Sequence, residues 1–299
     1  MNQSHKLSLY LIITFGISWP LAIVYSLAGG NTSPFSPGFL IMAIAFMFTP
    51  MLSVIVVERL ILKNSIKRTY PLNFRWNRWW WIAWLSPLFL ALAAFGVGLL
   101  IPGVRFSLEM EGMFARFQGI LTPEQMEQMH NTALPVHPIF LTIIQGLAAG
   151  ITINAVAGFG EELGWRGLML KELSYLGFWK LSWITGLVWG AWHAPIIMMG
   201  HNYPNHPIAG VAMMILFCIL FSPFFTLVAV KTGSVIGAAV LHGSFNALGA
   251  TSIMLLKGGD DLLIGTTGAA GLTVLAILNI IIWTTKPERL FNKQNDNAN

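Results

Sequence analysis

Long apolar runs separated by short polar segments dominate the chain. A helix needs about 20 mostly apolar residues to cross the hydrocarbon core of a bilayer. Eight runs fit this pattern, at residues 8–28, 38–58, 79–101, 138–158, 179–199, 208–230, 234–256 and 262–283. The fourth and seventh are richer in glycine, which is typical of helices that pack closely inside a bundle. The pattern predicts an all-α integral membrane protein with about eight transmembrane helices.

The composition supports lipid as the solvent of this chain. Of its 299 residues, 55% are hydrophobic and only 10% are charged, whereas soluble domains carry about 25% charged residues. The single cysteine, Cys218, excludes an internal disulfide. Lysine and arginine lie at the ends of the predicted helices, so the basic charge does not indicate a nucleic-acid partner.

The distribution of basic residues predicts the orientation in the membrane. With the N-terminus in the cytoplasm, 14 of the 17 Lys and Arg side chains fall in cytoplasmic segments: Lys6, Arg59, Lys63, Lys67, Arg68, Arg75, Arg78, Arg166, Lys171, Lys180, Lys231, Lys286, Arg289 and Lys293. Only Arg105, Arg116 and Lys257 fall on the other side. Because cytoplasmic loops are enriched in Lys and Arg, this asymmetry favours eight spans and two cytoplasmic termini in a multi-pass cell membrane protein.

The polar segments divide the chain into three parts. Residues 1–137 hold three predicted spans, a basic cytoplasmic loop and an outer interfacial segment. Residues 138–285 hold the remaining five spans, and residues 286–299 form a polar cytoplasmic tail. Within the outer segment, Thr122 followed by Pro123 predicts the start of a short interfacial helix, because proline is favoured at the first helical position.

The fourth apolar run ends in a cluster of charged residues. Glu161 and Glu162 are adjacent, and Arg166 follows four residues after Glu162. On a helix Glu162 and Arg166 share a face and can pair, whereas Glu161 is rotated by about 100°. Glu161 is therefore the less committed carboxylate and the candidate general base. The alternative is an interfacial helix end held by a Glu–Arg pair.

Two further polar clusters lie in the fifth and seventh runs. Trp189 and His193 are four residues apart, as are His242 and Asn246, so each pair lies on one helix face. An imidazole and an amide in one cavity can bind a metal or water, and the amide can donate to an oxyanion. The alternative is a polar contact between helices. Ionisable groups inside a membrane usually face a cavity or a partner, so we expect the three clusters to converge near the cytoplasmic side.

These clusters resemble the motifs of the CPBP family of intramembrane proteases. That family includes the Rce1-type CAAX prenyl endopeptidases and the bacterial Abi, or bacteriocin-processing, proteins. Its pattern is EExxxR, then an aromatic residue separated from a His by three residues, then HxxxN. The pattern is similar to Glu161-Glu162-Leu-Gly-Trp-Arg166, Trp189-Gly-Ala-Trp-His193 and His242-Gly-Ser-Phe-Asn246. Trp189 stands where phenylalanine is usual. The resemblance covers about residues 140–255.

The resemblance implies eight helices around a hydrophilic cavity and an endopeptidase activity of the kind used in CAAX-box protein maturation. It implies that Glu161 activates a water molecule with help from His193, and that His242 and Asn246 stabilise the oxyanion. Glu162 and Arg166, with Trp189, would support the site. The substrate would be a membrane-associated or lipid-modified peptide or protein, and the lipid bilayer would be the other partner.

The resemblance leaves the role of a metal open, because the family has been described both as metalloproteases and as metal-free glutamate proteases. Glu161, His193 and His242 are residue types that bind a divalent metal such as zinc. The HExxH motif of site-2-type zinc proteases is absent from the sequence, as are the GxSG motif of rhomboid-type and the GxGD motif of presenilin-type proteases.

Two other functions stay open at this point. One is a non-proteolytic membrane scaffold or immunity-type protein that has the same fold. The other is an ion-coupled transporter, because buried Glu and His also form proton relays. A transporter predicts a repeat between the two halves of the chain, and the sequence has no such repeat. The identity of the substrate and the oligomeric state do not follow from the sequence.

Overall fold

Helices make up nearly all the regular structure of the computed structural model, which describes residues 3–33, 36–117, 122–124, 127–128, 136–288 and 291. The helices are α1 (Gln3–Leu27), α2 (Pro37–Ile55), α3 (Ile66–Thr69), α4 (Arg78–Gly98), α5 (Glu111–Phe117), α6 (Pro138–Gly150), α7 (Ile153–Glu162), α8 (Leu170–Glu172), α9 (Phe178–Trp192), α10 (Ala194–Met198), α11 (Pro207–Thr232), α12 (Val235–Leu248), α13 (Thr251–Met254) and α14 (Ala269–Thr284). π-Helical turns at Val56–Ile61 and Leu163–Met169 extend α2 and α7. The predicted all-α membrane class is confirmed.

The number of full-length spans is smaller than the eight predicted. In the described part of the chain, four helices are long and apolar enough to cross a membrane: α1, α2 with its π-helical turn, α4 and α11. A fifth is obtained if α6 and Ile153–Glu172, which meet at an angle of 51°, count as one span. Helix α14 has 16 residues, α9 has 15 and α12 has 14. The count of eight is therefore not confirmed.

The shorter helices result from breaks inside three of the predicted apolar runs. The run 179–199 is interrupted at His193, where Pro195 begins the next helix and cannot donate a backbone hydrogen bond. The run 234–256 is interrupted after Leu248, and the run 138–158 bends around Thr152. At 1.5 Å per residue, 14 residues span about 21 Å, less than the hydrocarbon core of about 30 Å. Helices of this length depend on packing against neighbouring helices for their position.

Close backbone contact holds α12 against α7. A Cβ atom added to Gly243 would lie 2.4 Å from the backbone nitrogen of Ala155, and one added to Gly158 would lie 2.9 Å from the Cβ of His242. Small residues allow this approach, as expected for helices packed inside a membrane bundle. Helices α9 and α11 meet in the same way, because a Cβ on Gly190 would lie 2.5 Å from the Cα of Ile215. The glycine-rich runs therefore pack as the sequence predicts.

One end of the molecule, here called the basic end, gathers α3, α8, the start of α9 and the junction between α11 and α12. Buried Lys6 pairs there with Glu58 at 2.5 Å and with Glu172 at 2.7 Å, joining α1, α2 and α8. The Glu288 carboxylate accepts from the backbone N–H groups of Phe178 and Trp179 at the start of α9. The segment predicted as a polar tail thus begins with a residue that caps a core helix.

The opposite end, here called the loop end, holds residues 28–33, 99–117, 199–206 and 249–268. Two short strands, β1 (Arg105–Phe106) and β2 (Leu256–Lys257), pair antiparallel there and join the outer segment to the loop after α13. The helix predicted to start at Thr122 falls in a stretch where residues 118–121, 125–126 and 129–135 lie outside the described residues. Most of the predicted tail, residues 292–299, also lies outside them.

Candidate active site

The end of α7 and the π-helical turn after it carry the first polar cluster. Arg166 lies 3.1 Å from Glu162, and both side chains are buried, so the pairing follows the helical spacing. Arg166 itself lies in the π-helical turn, which begins directly after Glu162. Such turns inside helices are frequent at functional sites. The hydroxyl group of Tyr10 packs against this turn, because a Cβ on Gly164 would lie within 2.1 Å of it.

Arg166 is held by three further groups from other helices. Its Nη2 donates to the hydroxyl of Ser222 at 3.0 Å. The guanidinium carbon lies 4.8 Å from the ring centre of Trp189 and 4.4 Å from that of Phe225. These aromatic faces attract the cation, so the arginine is fixed between α9 and α11. Ser222 and Phe225 were not among the predicted site residues, and a lone serine in an apolar run was the only signal in the sequence.

Glu161 has different partners from its neighbour. Its Oε2 accepts a hydrogen bond from the indole nitrogen of Trp189 at 2.8 Å and a longer one from that of Trp165 at 3.4 Å. An indole N–H can only donate, so this oxygen is an acceptor, while Oε1 has neither indole as a partner. Trp165 lies four residues after Glu161, and this helical spacing was the signal by which the sequence could have identified it.

His242 bridges the two carboxylates. Its Nδ1 lies 2.8 Å from Oε1 of Glu162, and its Nε2 lies 3.7 Å from Oε1 of Glu161. The imidazole ring is enclosed by the rings of Trp189 and Phe225, each with its centre 5.6 Å away. Because an ionised carboxylate only accepts hydrogen bonds, Nδ1 carries its hydrogen toward Glu162. The other ring nitrogen is then directed toward Glu161.

His193 occupies the point where α9 ends. Its Nδ1 lies 2.8 Å from the backbone oxygen of Trp189, one turn earlier. A carbonyl oxygen only accepts, so Nδ1 carries a hydrogen, and the neutral ring has an unprotonated Nε2. The helix break at His193 leaves the side chain half-buried rather than enclosed in the bundle. This nitrogen can therefore accept a proton from a molecule inside the protein.

A cavity of about 390 Å³ connects these groups. Its lining includes Glu161, His193, His242, Asn246 and Trp189. Glu162 and Arg166 do not line it and lie buried behind His242. The structure therefore brings together the four residues predicted to act on a substrate. Of the residues predicted to support the site, Trp189 also lines the cavity, whereas Glu162 and Arg166 do not.

The part of the chain that holds this geometry has a known counterpart. Residues 140–248 match the family model described as type II CAAX prenyl endopeptidase, Rce1-like. We call this matched segment the Rce1-like domain. The resemblance stated from the three motifs is confirmed for this segment, which contains every site residue from Glu161 to Asn246. No curated protein sequence matches the chain.

The Rce1-like domain does not gather a ready metal-ligand set at this site. Among the described residues, His206, Asp260 and Asp261 are the group whose possible ligand atoms lie within 4.8 Å of one another; Glu161, His193 and His242 are not so gathered. The Nδ1 atoms of both histidines and Oε2 of Glu161 are also engaged in hydrogen bonds. Tetrahedral zinc needs ligands about 2.0–2.2 Å from the ion, so these side chains would have to move to hold it.

The loop end supplies the far wall of the cavity. His201 lines it, its Nδ1 is buried without a hydrogen-bond partner among the described residues, and burial lowers the pKa of the imidazole to about 4. Asp261 also lines the cavity and accepts from the ring of His206 at 2.5 Å and from the backbone N–H of Asn205 at 2.7 Å. The hydrogen bond to Asp261 raises the pKa of His206.

Proposed function

We propose that the chain is an intramembrane endopeptidase that hydrolyses a peptide bond with a water molecule activated by Glu161 and His193. The observation that carries the proposal is the shared cavity, which is lined by Glu161, His193, His242 and Asn246 inside the segment that matches an endopeptidase family. A carboxylate, an unprotonated imidazole nitrogen and an amide donor are the groups that acyl transfer to water needs.

In the first step, the water oxygen attacks the carbonyl carbon of the scissile peptide bond. Glu161 accepts the proton of the water through Oε1, and Nε2 of His193 accepts a hydrogen bond from the same molecule. The carbonyl oxygen becomes an oxyanion, and His242 and Asn246 donate hydrogen bonds to it. Donors fixed in place before the reaction stabilise such a charge, and removing one commonly costs about 10²–10³ in rate.

In the second step, the C–N bond breaks. The proton held by Glu161 passes to the leaving nitrogen, the oxyanion returns to a carbonyl, and the products are a carboxylic acid and an amine. Glu161 is regenerated as a carboxylate. The step needs no other reactant than water, so protons and electrons balance within the site.

The charges of Glu161, Glu162 and Arg166 set the charge of His242. Glu161 and Glu162 together carry two negative charges when ionised, and Arg166 supplies one positive charge. A doubly protonated His242 makes the cluster neutral, which lowers the cost of burying it. Its Nδ1–H then donates to Glu162, and its Nε2–H is available to the oxyanion. Glu162 and Arg166 are positioning residues in this scheme, and Trp189 positions Glu161.

The substrate that we propose is a membrane-associated or lipid-modified peptide or protein segment. The description of the matching family names prenylated CAAX substrates. Two features of the cavity support a lipid-proximal peptide: aromatic side chains such as Phe217 and Phe245 form much of its wall, and the fold encloses it within apolar helices. The division into residues 1–137, 138–285 and 286–299 belongs to the same proposal, with the reaction assigned to the second part.

The test is cleavage of a fluorogenic peptide carrying an acyl anchor by purified protein in bicelles. We expect wild type to cleave, and Glu161→Gln and His193→Gln to lose activity while their unfolding temperatures stay near that of wild type. Cleavage by Glu161→Gln at the wild-type rate would overturn the proposal. A chelator series run with wild type reports separately whether a metal contributes.

A scaffold or immunity-type role makes the opposite prediction. If a cellular phenotype of the deletion were rescued equally by wild type and Glu161→Gln, peptide hydrolysis would not be the function. Ion-coupled transport would require substrate flux into proteoliposomes that stops in the same variant.

A further inference from the structure

The two ends of the molecule differ in charge. In the described part of the chain, the segments 59–78, 171–180, 231 and 286 place their Lys and Arg side chains at the basic end, together with Lys6. The loop end has Arg105, Arg116 and Lys257. Because cytoplasmic segments are enriched in Lys and Arg, this asymmetry assigns the basic end to the cytoplasm. The connectivity of the helices agrees, since each long helix runs from one end to the other.

The cavity extends toward the loop end. Its lining includes Asn202, Ala250 and Thr267, which belong to the loops after α10, after α12 and before α14. Two of the reacting groups also lie near that end: His193 follows the last residue of α9, and Asn246 is two residues from the end of α12. Asn202, Asn246 and Ala250 are exposed, so the polar interior is continuous with the surface on this side.

The basic end is closed by packed side chains. Trp165, Leu168 and Met169 from the π-helical turn have no exposed surface. Beyond them lie the buried carboxylates of Glu58 and Glu172, both paired with Lys6. None of these residues lines the cavity, so no described part of it reaches the basic end.

We infer that the cavity is reached from the non-cytoplasmic face and that its substrate is an apolar, uncharged peptide segment presented on that face. The inferred substrate rests on the proposed function, whereas the inferred direction of access does not. The described lining contains no Lys or Arg, and of its two acidic residues Asp261 is already paired with His206. The wall is otherwise built largely from groups such as Met214, Phe217 and Ile264. A prenylated C-terminus in the cytoplasm would lie at the closed end.

Thiol labelling tests the direction of access without using activity. The chain has one cysteine, Cys218, which is buried, so Cys218→Ala provides a cysteine-free background. Asn202→Cys and Ala250→Cys place a thiol at the mouth, Ala43→Cys places one in the cavity wall, and Lys67→Cys places one on exposed α3 at the basic end. The probe is a membrane-impermeant sulfonated maleimide, applied to intact spheroplasts and to inverted vesicles.

We expect at least a tenfold preference for labelling of Asn202→Cys, Ala250→Cys and Ala43→Cys in spheroplasts, and the reverse preference for Lys67→Cys. Labelling of Ala43→Cys only in inverted vesicles would overturn the inference, as would labelling of Asn202→Cys and Lys67→Cys from the same side. If Ala43→Cys fails to fold, the two mouth variants decide the result, because their side chains are exposed.

A second experiment separates this inference from the proposed function. Proteoliposomes of known orientation are given an impermeant fluorogenic peptide with an apolar cleavage segment on one side only. Cleavage from the loop end alone supports both proposals, and cleavage from the basic end alone overturns the direction of access while the endopeptidase stands. Labelling from the loop end without cleavage from either side would overturn the endopeptidase and leave the direction of access standing.

Discussion

Two adjacent glutamates in this protein have separate partners. Glu161 receives indole hydrogen bonds and lines the cavity, whereas Glu162 is enclosed by Arg166 and His242. The separation arises because successive residues on a helix point about 100° apart. One carboxylate can thus take part in chemistry while the other holds the structure around it.

The same isosteric change at the two positions should therefore have different effects. Glu161→Gln should lower the cleavage rate by about 10²–10⁴, the usual contribution of a general base, with little change in the unfolding temperature. Glu162→Gln leaves the guanidinium of Arg166 without its ionic partner, and breaking a buried pair costs about 3–5 kcal/mol. Thermal unfolding and peptide cleavage measured on both variants check this. Loss of folding in Glu161→Gln together with normal stability in Glu162→Gln would contradict it.

The histidines of the loop at 200–206 should respond to pH in opposite senses. The pKa of His206 is raised by Asp261, so its stabilising contribution is complete below the unfolded value of about 6.5 and is lost as pH rises through the raised pKa. His201 is half-buried, and desolvation of its ring lowers its pKa to about 4. Its neutral form is favoured in the folded state, so it destabilises the fold as pH falls from about 6.5 toward 4.

Unfolding temperatures measured from pH 4.5 to 9 check the expected direction of the pH effect for each histidine. The advantage of wild type over His206→Gln should be largest near pH 6 and should disappear at alkaline pH. His201→Gln should lose less stability than wild type between pH 6.5 and 4.5. Parallel profiles for wild type and both variants would show that the loop does not sense pH in this way.

Short helices carry the groups that we propose to react, and long helices surround them. Helices α9 and α12, with 15 and 14 residues, are shorter than the hydrocarbon core is thick, and His193 directly follows the last residue of α9. Their position depends on close contact with neighbours rather than on the match between helix length and bilayer thickness. The packing glycines are therefore expected to matter more for the site than the hydrophobicity of these helices.

Gly243→Ala tests this dependence at the contact between α12 and α7. The new Cβ would lie 2.4 Å from the backbone nitrogen of Ala155, so the helices must separate, and overpacking of this kind costs about 1–3 kcal/mol. His242, the preceding residue, should shift from Glu161 and the cleavage rate should fall. The matched control is Gly96→Ala in α4, where nothing lies within 4 Å of the added atom and a gain of up to about 1 kcal/mol is expected. Equal effects of the two changes would contradict the argument.

The side chain of Glu288 caps the start of α9. Glu288→Ala removes the acceptor of the N–H groups of Phe178 and Trp179, and loss of a helix cap costs about 0.5–2 kcal/mol. We expect a lower unfolding temperature and an unchanged cleavage rate per folded molecule. Glu111→Ala is the control, because its pair with Lys257 is exposed and such pairs contribute about 0–1 kcal/mol.

Local contacts were predictable from the sequence, and contacts between distant helices were not. The Glu162–Arg166 pair follows from helical spacing alone, as does the placement of His242 and Asn246 on one face. The contacts of Arg166 with Ser222 and Phe225 depend on how α11 is rotated and shifted against α7, which no local pattern encodes. The count of eight spans is not confirmed for a related reason: hydropathy records apolar surroundings, and a helix buried among other helices is as apolar as one in lipid.

At the scale of the whole molecule, the ion pairs at the basic end join the first helix to the part of the chain that holds the candidate site. Lys6 lies 166 residues before Glu172 in the sequence, and Glu58 also accepts from Tyr70 and Asn64. The N-terminal helices are thus fixed to the Rce1-like domain by buried charge as well as by apolar packing.

Lys6→Met should destabilise the protein by about 3–5 kcal/mol, because it leaves two buried carboxylates without their cation. Adding Glu58→Gln and Glu172→Gln should recover part of that loss, since no unpaired charge then remains. The check is the unfolding temperature of the single and triple variants in the same detergent. A triple variant less stable than Lys6→Met would show that the carboxylates have other compensating partners.

Access of water to the cavity from the loop end, as inferred above, would also change how the membrane voltage is distributed. Water conducts, so most of the potential must fall across the closed basic end instead of across the full hydrocarbon thickness of about 30 Å. A charge that crosses the whole potential gains about 2.3 kcal/mol per 100 mV, and here that drop is concentrated near Arg166, Glu162 and Lys6. With that access, the paired charges and the packed π-helical turn would be the barrier between the two aqueous sides, and a cell that expresses a variant with a loosened basic end should lose ions through it.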